Sequence, residues 1–376
     1  MRASTATILC LAASAPLWAC AVAHPDFAGL DVKVTEETAI ICHDGKRELL
    51  LIYPGFRILT GPKGDDMGDF HFGFIVPTPG RPDVREVCMA PFEAAKRKIQ
   101  PKQVYETRDK WVFGSFFSKI NFLFTGAVKS LDEGKVTNPV TVLEEKEVGI
   151  YVVAILEATD AGALVRWLGE NGYHVSKGVE KWATDYVEKK WYFAAFKISP
   201  RQLAAGMTTS PTPFVMEFDS PEPYFPFNEP EGCQMPEGAK ASLPAQRLAL
   251  YVFAEKRVEG IVGGQPVAGS GALKYAESLP GPTIEGMLNG VDTHYSVRPR
   301  GLRTEKATNQ RDLSVRVAPS LGLKVAGSTT MSAFVLEGAK RTMAGDMFFR
   351  PSADQAAVIP PPIVYIDYRN KVIPIE

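Results

Sequence analysis

Apolar and polar positions alternate along the chain so as to mark out a succession of short elements. Thr38-Ala39-Ile40-Ile41-Cys42 and Arg47-Glu48-Leu49-Leu50-Leu51-Ile52-Tyr53 are apolar-rich runs separated by His43-Asp44-Gly45-Lys46. Asp-Gly between two such runs predicts a hairpin, because glycine takes the positive φ of a tight turn. His71 to Val76 is a further apolar strand, stopped by Pro77-Thr78-Pro79. Met89 to Ile99 reads as a short helix, with Pro91 tolerated in its first turn and Pro101 beyond its end.

The most regular region lies at the centre. Val148 to Glu157 is rich in β-branched residues and predicts a strand. Thr159 or Asp160 can cap a following helix in which Leu164, Trp167 and Leu168 share a face and which Gly172 ends. Val179, Trp182, Ala183, Tyr186 and Val187 repeat the helical spacing, and Trp191 to Ile198 returns to strand. The spacing puts Trp167 and Trp182 toward a sheet, with Arg166, Glu170, Lys181 and Asp185 on other faces. The prediction is an α+β fold of mixed and antiparallel sheets around this β-α-α-β unit. Short strands follow at Phe214 to Phe218 and Leu248 to Ala254, and Ile363 to Tyr368 reads as a last strand or a loose tail after Pro360-Pro361-Pro362.

Composition adds bounds. A chain of 376 residues with 45% apolar and 23% charged residues can bury a sizeable core. A formal net charge of -1 supplies no overall field for nucleic acid or anionic membrane, and no nucleic-acid partner is expected. Charge is nevertheless uneven: Val215 to Glu237 holds six Asp/Glu and no Lys or Arg, whereas His294 to Arg350 holds ten Lys/Arg against four Asp/Glu. These regions either pack together or form two solvated faces.

Met1-Arg2 followed by the uncharged stretch Ala6 to Ala23, ending in Ala21-Val22-Ala23, has the layout of a secretory signal cleaved before His24. An uncleaved anchor helix and lipidation at Cys20 are the alternatives, although Trp18 fits the lipidation pattern poorly. No later segment has the ~20 apolar residues of a membrane helix. The expected location is therefore extracytoplasmic, periplasmic or secreted. The expected layout is a signal peptide over 1-23, an α+β domain over 24-317 with a possible division near 140, and a C-terminal extension over 318-376. Cys42, Cys88 and Cys233 remain after cleavage, which permits one disulfide plus a thiol or three buried thiols.

Candidate chemistry is sparse. Gly114-Ser115-Phe116 and Gly269-Ser270-Gly271 only brush against a nucleophile elbow, and Gly263-Gly264-Gln265-Pro266 lacks the lysine of a phosphate loop. His24, His43, His71, His174 and His294 are scattered singly, without C-x-x-C or H-E-x-x-H spacing. An N-terminal His24 would offer its amine and imidazole to copper but needs one of the other histidines beside it. Asp65-Asp66-Met67-Gly68-Asp69 lacks the alternating ligands of a calcium loop. The aromatic run Trp111 to Phe117 with Phe122-Leu123-Phe124 reads as strand core, or else as a ligand groove or a membrane-touching surface. No catalytic residue is assigned, and no cofactor or metal is expected.

The central residues carry a resemblance. Val148-Gly149-Ile150-Tyr151-Val152-Val153-Ala154-Ile155-Leu156-Glu157-Ala158, Ala163 to Tyr173, Tyr186-Val187 and Trp191-Tyr192-Phe193 resemble a bacterial family of extracytoplasmic proteins, domain of unknown function family 2330. Phe72 to Pro79 before the unit, and Leu302-Arg303-Thr304 with Arg311-Asp312-Leu313 after it, are similar too, so the likeness spans roughly residues 30 to 317. Phe74 stands where that family is expected to have Trp. The resemblance implies an envelope location and a fold but no reaction. The leading expectation is an exported, non-catalytic envelope protein that binds or organises an unidentified ligand or protein. The alternative is an extracytoplasmic hydrolase whose site is assembled from distant segments.

Overall fold

The computed structural model describes residues 21–23, 31–34, 36–60, 72–109, 140–173, 175, 178–198, 210–231, 247–267, 273–289, 321, 327–338, 341 and 344–369. In chain order the elements are β1 (Ala21–Ala23), β2 (Asp31–Val34), β3 (Glu37–His43), β4 (Arg47–Tyr53), β5 (Phe56–Thr60), β6 (Phe72–Thr78), β7 (Asp83–Glu86), α1 (Ala90–Lys98) and β8 (Gln103–Asp109). They continue with β9 (Val140–Val148), β10 (Tyr151–Ala158), α2 (Ala161–Glu170), α3 (Val179–Glu188), β11 (Tyr192–Ile198), β12 (Phe214–Asp219), β13 (Tyr224–Phe225) and β14 (Arg247–Ala254). The last are β15 (Val258–Val262), β16 (Gln265–Pro266), β17 (Leu273–Pro280), α4 (Gly281–Leu288), β18 (Ser328–Glu337), β19 (Met347–Pro351) and β20 (Ile363–Arg369).

Two large sheets dominate, one ordered β1-β6-β11-β10-β9 and one ordered β17-β18-β14-β3-β4-β12-β7. Period-two alternation sends residues of each strand to opposite faces. Val153 and Ile155 of β10 and Leu50 and Ile52 of β4 enter a shared inter-sheet core. Ala154 and Leu156 instead meet α2 and α3, while Leu51 of β4 and Tyr251 of β14 meet α1 and α4. The result is four layers: helices, sheet, sheet, helices. Burial on both faces explains why the strands read as nearly continuous apolar runs.

The α+β architecture, with mixed and antiparallel sheets, agrees with the sequence. The β-α-α-β unit is β10-α2-α3-β11, whose two strands pair antiparallel from Tyr151↔Ile198 to Glu157↔Tyr192. Asp160 caps α2, its Oδ1 accepting from the Ala163 N–H at 2.6 Å. Gly172 (φ 78°) ends that helix in a Schellman motif, with Tyr173 N–H donating to Leu168 O at 2.8 Å. Helix α3 ends the same way, but there Lys190 occupies the left-handed position at φ 57°.

Several elements differ from expectation. Residues 148–157 are not one strand: Val148 closes β9, Gly149 turns at φ 59° where a Cβ would strike Thr212, and β10 begins at Tyr151. β6 runs on through Pro77 to Thr78, because at Pro77 a strand neighbour lies on one side only and no ladder bond is lost. Both large sheets mix strands from before and after residue 140. β18, from Ser328 to Glu337, sits inside the seven-stranded sheet between β17 and β14. Trp182 is fully buried against the sheet, whereas Trp167 is half-buried and lies 6.2 Å from the Tyr173 ring.

Candidate functional site

The ionisable groups that the fold sinks deepest converge on one extended segment, Ser220 to Glu229. This segment runs from the end of β12 through β13 and is buried over most of its length. Its beginning is held by the β3–β4 hairpin. Ser220 N–H donates to Lys46 O at 2.8 Å, and His43 Nε2–H donates to Ser220 O at 2.9 Å. His43 Nδ1 accepts from Gly45 N–H at 3.0 Å, so both ring nitrogens are engaged in holding backbone.

Midway along, Glu48 projects from β4 into the core and accepts the Tyr224 N–H at 2.7 Å. The Tyr224 hydroxyl donates to Pro77 O at 3.1 Å, joining the segment to β6. Glu48 is fully buried, and its Oε1 has no hydrogen-bond partner among the described residues. Burial pushes its carboxyl well above the usual range, which favours the protonated form. Burial, reinforced by Glu48, also drives the Cys42 thiol upward, which makes it a poor nucleophile. Cys42 and Cys88 are both unpaired thiols, and Cys233 lies outside the described residues.

The end of the segment is held by Arg341. Its guanidinium donates to Glu37 Oε2 at 2.7 Å and to the carbonyls of Pro226 and Phe227 at 3.2 Å each. It also lies 3.1 Å from Glu229 Oε1 and within 5.5 Å of the Phe225 and Phe227 ring centres. One cation therefore faces two buried carboxylates. Burial, aided by Glu37 and opposed by Arg341, pushes Glu229 up to about 8. Beside it Asp346 accepts the Asn228 N–H at 3.1 Å, and burial raises that carboxyl to about 6. Asn228 also meets Tyr186 Oη at 3.3 Å, and its carbonyl accepts from Trp182 Nε1 at 2.9 Å, so α3 is tied to the same knot.

Chemically this arrangement binds backbone. Each of Glu48, Arg341 and Asp346 engages a main-chain group of the segment, and Glu229 and Arg341 are 0% and 4% exposed. Among the described residues no group of three His, Cys, Asp or Glu could hold a metal ion. Of the sequence candidates, only His43, Cys42, Cys88 and the Gly263-Gly264-Gln265-Pro266 turn lie in described residues. That turn joins β15 to β16 with both glycines at positive φ, 56° and 78°. His24, His71, His174, His294, Asp65 to Asp69, Gly114-Ser115, Gly269-Ser270-Gly271, Cys20 and the aromatic run from Trp111 all lie outside the described residues.

The sequence did not single out Glu37, Glu48, Arg341 or Asp346. The available signal was the pairing of an acidic with a basic region. Two contacts realise it: Arg341 with Glu229, and Arg350 with Glu222 at 3.1 Å, where β13 pairs with β19.

A family model described as "Uncharacterized protein conserved in bacteria (DUF2330)" matches residues 15–267. No curated protein matches. Among solved structures, a mutated baculovirus P35 after caspase cleavage is similar at 10% identity and a TM-score of 0.32, covering 86% of this chain and 98% of that one. A likeness that weak carries no argument.

Proposed function

This chain belongs to the uncharacterised bacterial family DUF2330, and on that premise we propose that it is an exported, non-catalytic protein of the cell envelope that binds or organises another component there. The single observation that supports this reading is the fate of the ionisable groups. Among the described residues the carboxyls pushed upward, Glu48, Glu229 and Asp346, all serve to fix the Ser220 to Glu229 segment, inside a core that excludes substrate. A catalytic acid or base must come within about 3 Å of a reacting atom. The competing reading, an extracytoplasmic hydrolase, would draw on Glu229, whose value of about 8 suits a general acid, but that side chain is 0% exposed.

Export rests on the leader-like residues 1–23, with cleavage before His24; a lipid-bearing Cys20 is the other processed form. Cell fractionation with intact-mass analysis tests the location, and a cytoplasmic chain retaining Met1 overturns it. Chromogenic ester, phosphoester, glycoside and peptide substrates test the absence of catalysis. Turnover that disappears in Glu229→Gln, while the fold persists, establishes the hydrolase instead.

A further inference from the structure

The leader-like stretch reaches into the fold. β1, made of its last three residues, pairs antiparallel with β6 as Ala21↔Phe74, Val22↔Gly73 and Ala23↔Phe72, and so forms the outer strand of the five-stranded sheet. Among the described residues no other strand lies on that flank of β6, whose opposite flank is taken by β11. Cleavage before His24 carries β1 away and leaves the backbone groups of Phe72 to Phe74 that it paired on an open edge. Such an edge is a template for another extended chain.

The register states what fits there. Directly opposed residues of an antiparallel pair lie on the same face of the sheet. Phe74 belongs to the inter-sheet core, is 6% exposed and stacks its ring 4.6 Å from that of Phe196. A residue set opposite Phe74 therefore meets a filled apolar layer and has to be small and uncharged. Gly73 faces the helix side, where a Cβ would strike the Tyr173 ring and Phe196 O. Glycine lets that ring close over the strand, and a residue opposite it comes to lie on the same apolar side. The Ala-Val-Ala sequence of β1 meets both demands.

We propose that cleavage converts the outer edge of β6 into a strand-acceptor site, at which the mature protein binds an extended, uncharged segment of another envelope protein, with a small apolar residue opposite Phe74. This gives the chemistry of the partner in the binding role proposed above, and it rests on that reading of export and cleavage.

The probe is a fluorescently labelled synthetic peptide of residues 17–25 carrying Cys20→Ser, titrated by anisotropy against the chain 24–376 and against a chain that begins at residue 19 with the same substitution. The expected result is saturable binding to 24–376 with a Kd of about 1 to 100 μM. The chain that keeps residues 19–23 should bind about tenfold more weakly or worse, since its tethered strand competes at an effective concentration on the order of millimolar. Ala21→Glu in the peptide, opposite Phe74, should cost about tenfold. Successive amides of a strand point to opposite sides, so N-methylation should cost about tenfold at one of Ala21 and Val22 and little at the other. Absence of binding, equal affinity for the two chains, tolerance of Ala21→Glu, or equal effects of the two methyl groups overturns the proposal. So does a 24–376 chain that takes no peptide but pairs with its own copy, or one that circular dichroism shows to be unfolded, because β1 is then a permanent part of the sheet. Binding to 24–376 bears on the edge alone and the intact mass of the envelope-extracted protein on cleavage, so the two readings fail separately.

Discussion

Arg341→Leu removes the cation bonded to Glu37 and Glu229, and the structure sets the size of the loss. Arg341 and Glu37 have side chains 5% and 11% exposed, so solvent replaces almost none of their interaction. Removing one partner of a buried pair costs about 3 to 5 kcal/mol. The carbonyls of Pro226 and Phe227 lose their donors as well, at about 1 kcal/mol each, partly offset by leucine filling the space between the Phe225 and Phe227 rings. A net loss of about 4 kcal/mol follows near pH 8. Near pH 5 the loss should be smaller, since Glu229, with its value of about 8, is then protonated and needs no cation. Urea titration followed by the fluorescence of the buried Trp182 reads both values. A loss below about 1 kcal/mol, or the same loss at both pH values, would refute the ion-pair account and leave Arg341 as a packing residue.

Stability should fall as pH rises from about 4.5 to 8, because Glu229 has a folded value above its unfolded one and the native state binds the extra proton there. Urea midpoints of Glu229→Gln should be flatter across that window, and a wild-type midpoint that rises with pH contradicts the assignment. Asp346, raised to about 6, adds a decline of the same sign at lower pH. Lys190→Gly should stabilise by about 1 kcal/mol, since glycine takes the left-handed conformation without steric cost; a destabilised variant would show that the Lys190 side chain contributes more than its backbone costs. Trp182→Ala should cost about 3 to 5 kcal/mol, adding an unsatisfied Asn228 carbonyl to the cavity, while the half-buried Trp167→Ala should cost only about 1. Equal losses in denaturant titration would remove the distinction between the two helices.

What could be read from the sequence was local. The hairpin at Gly45, the cap at Asp160, the stop at Gly172 and the faces of α2 and α3 each depend on residues within a few positions of one another. β9 escaped because Glu144, Glu145, Lys146 and Glu147 break its apolar pattern, its charges being paired outward, as Lys146 is with Asp83 at 2.8 Å. Trp167 was overread because an apolar stripe wider than the contact leaves its rim half-exposed. The knot around Arg341 was illegible for a different reason. Glu37, Glu229 and Arg341 meet only after the sheets are assembled, and no spacing in the chain encodes that meeting.

The separation of 304 positions between Glu37 and Arg341 bears on when this protein can fold. β3 lies between β4, which follows it at once, and β14, which pairs with it in parallel some two hundred residues later. A chain made at about 5 to 20 residues per second therefore holds its first apolar strands unsatisfied for tens of seconds. Residues 15–267, the span shared with the family model, lack β18 and Arg341 altogether. A chain ending there would leave β14 with an open flank and Glu37 without its cation. The late segment 328–341 thus acts as the closing step of assembly, and the interval before its arrival is when the nascent chain most needs to be shielded.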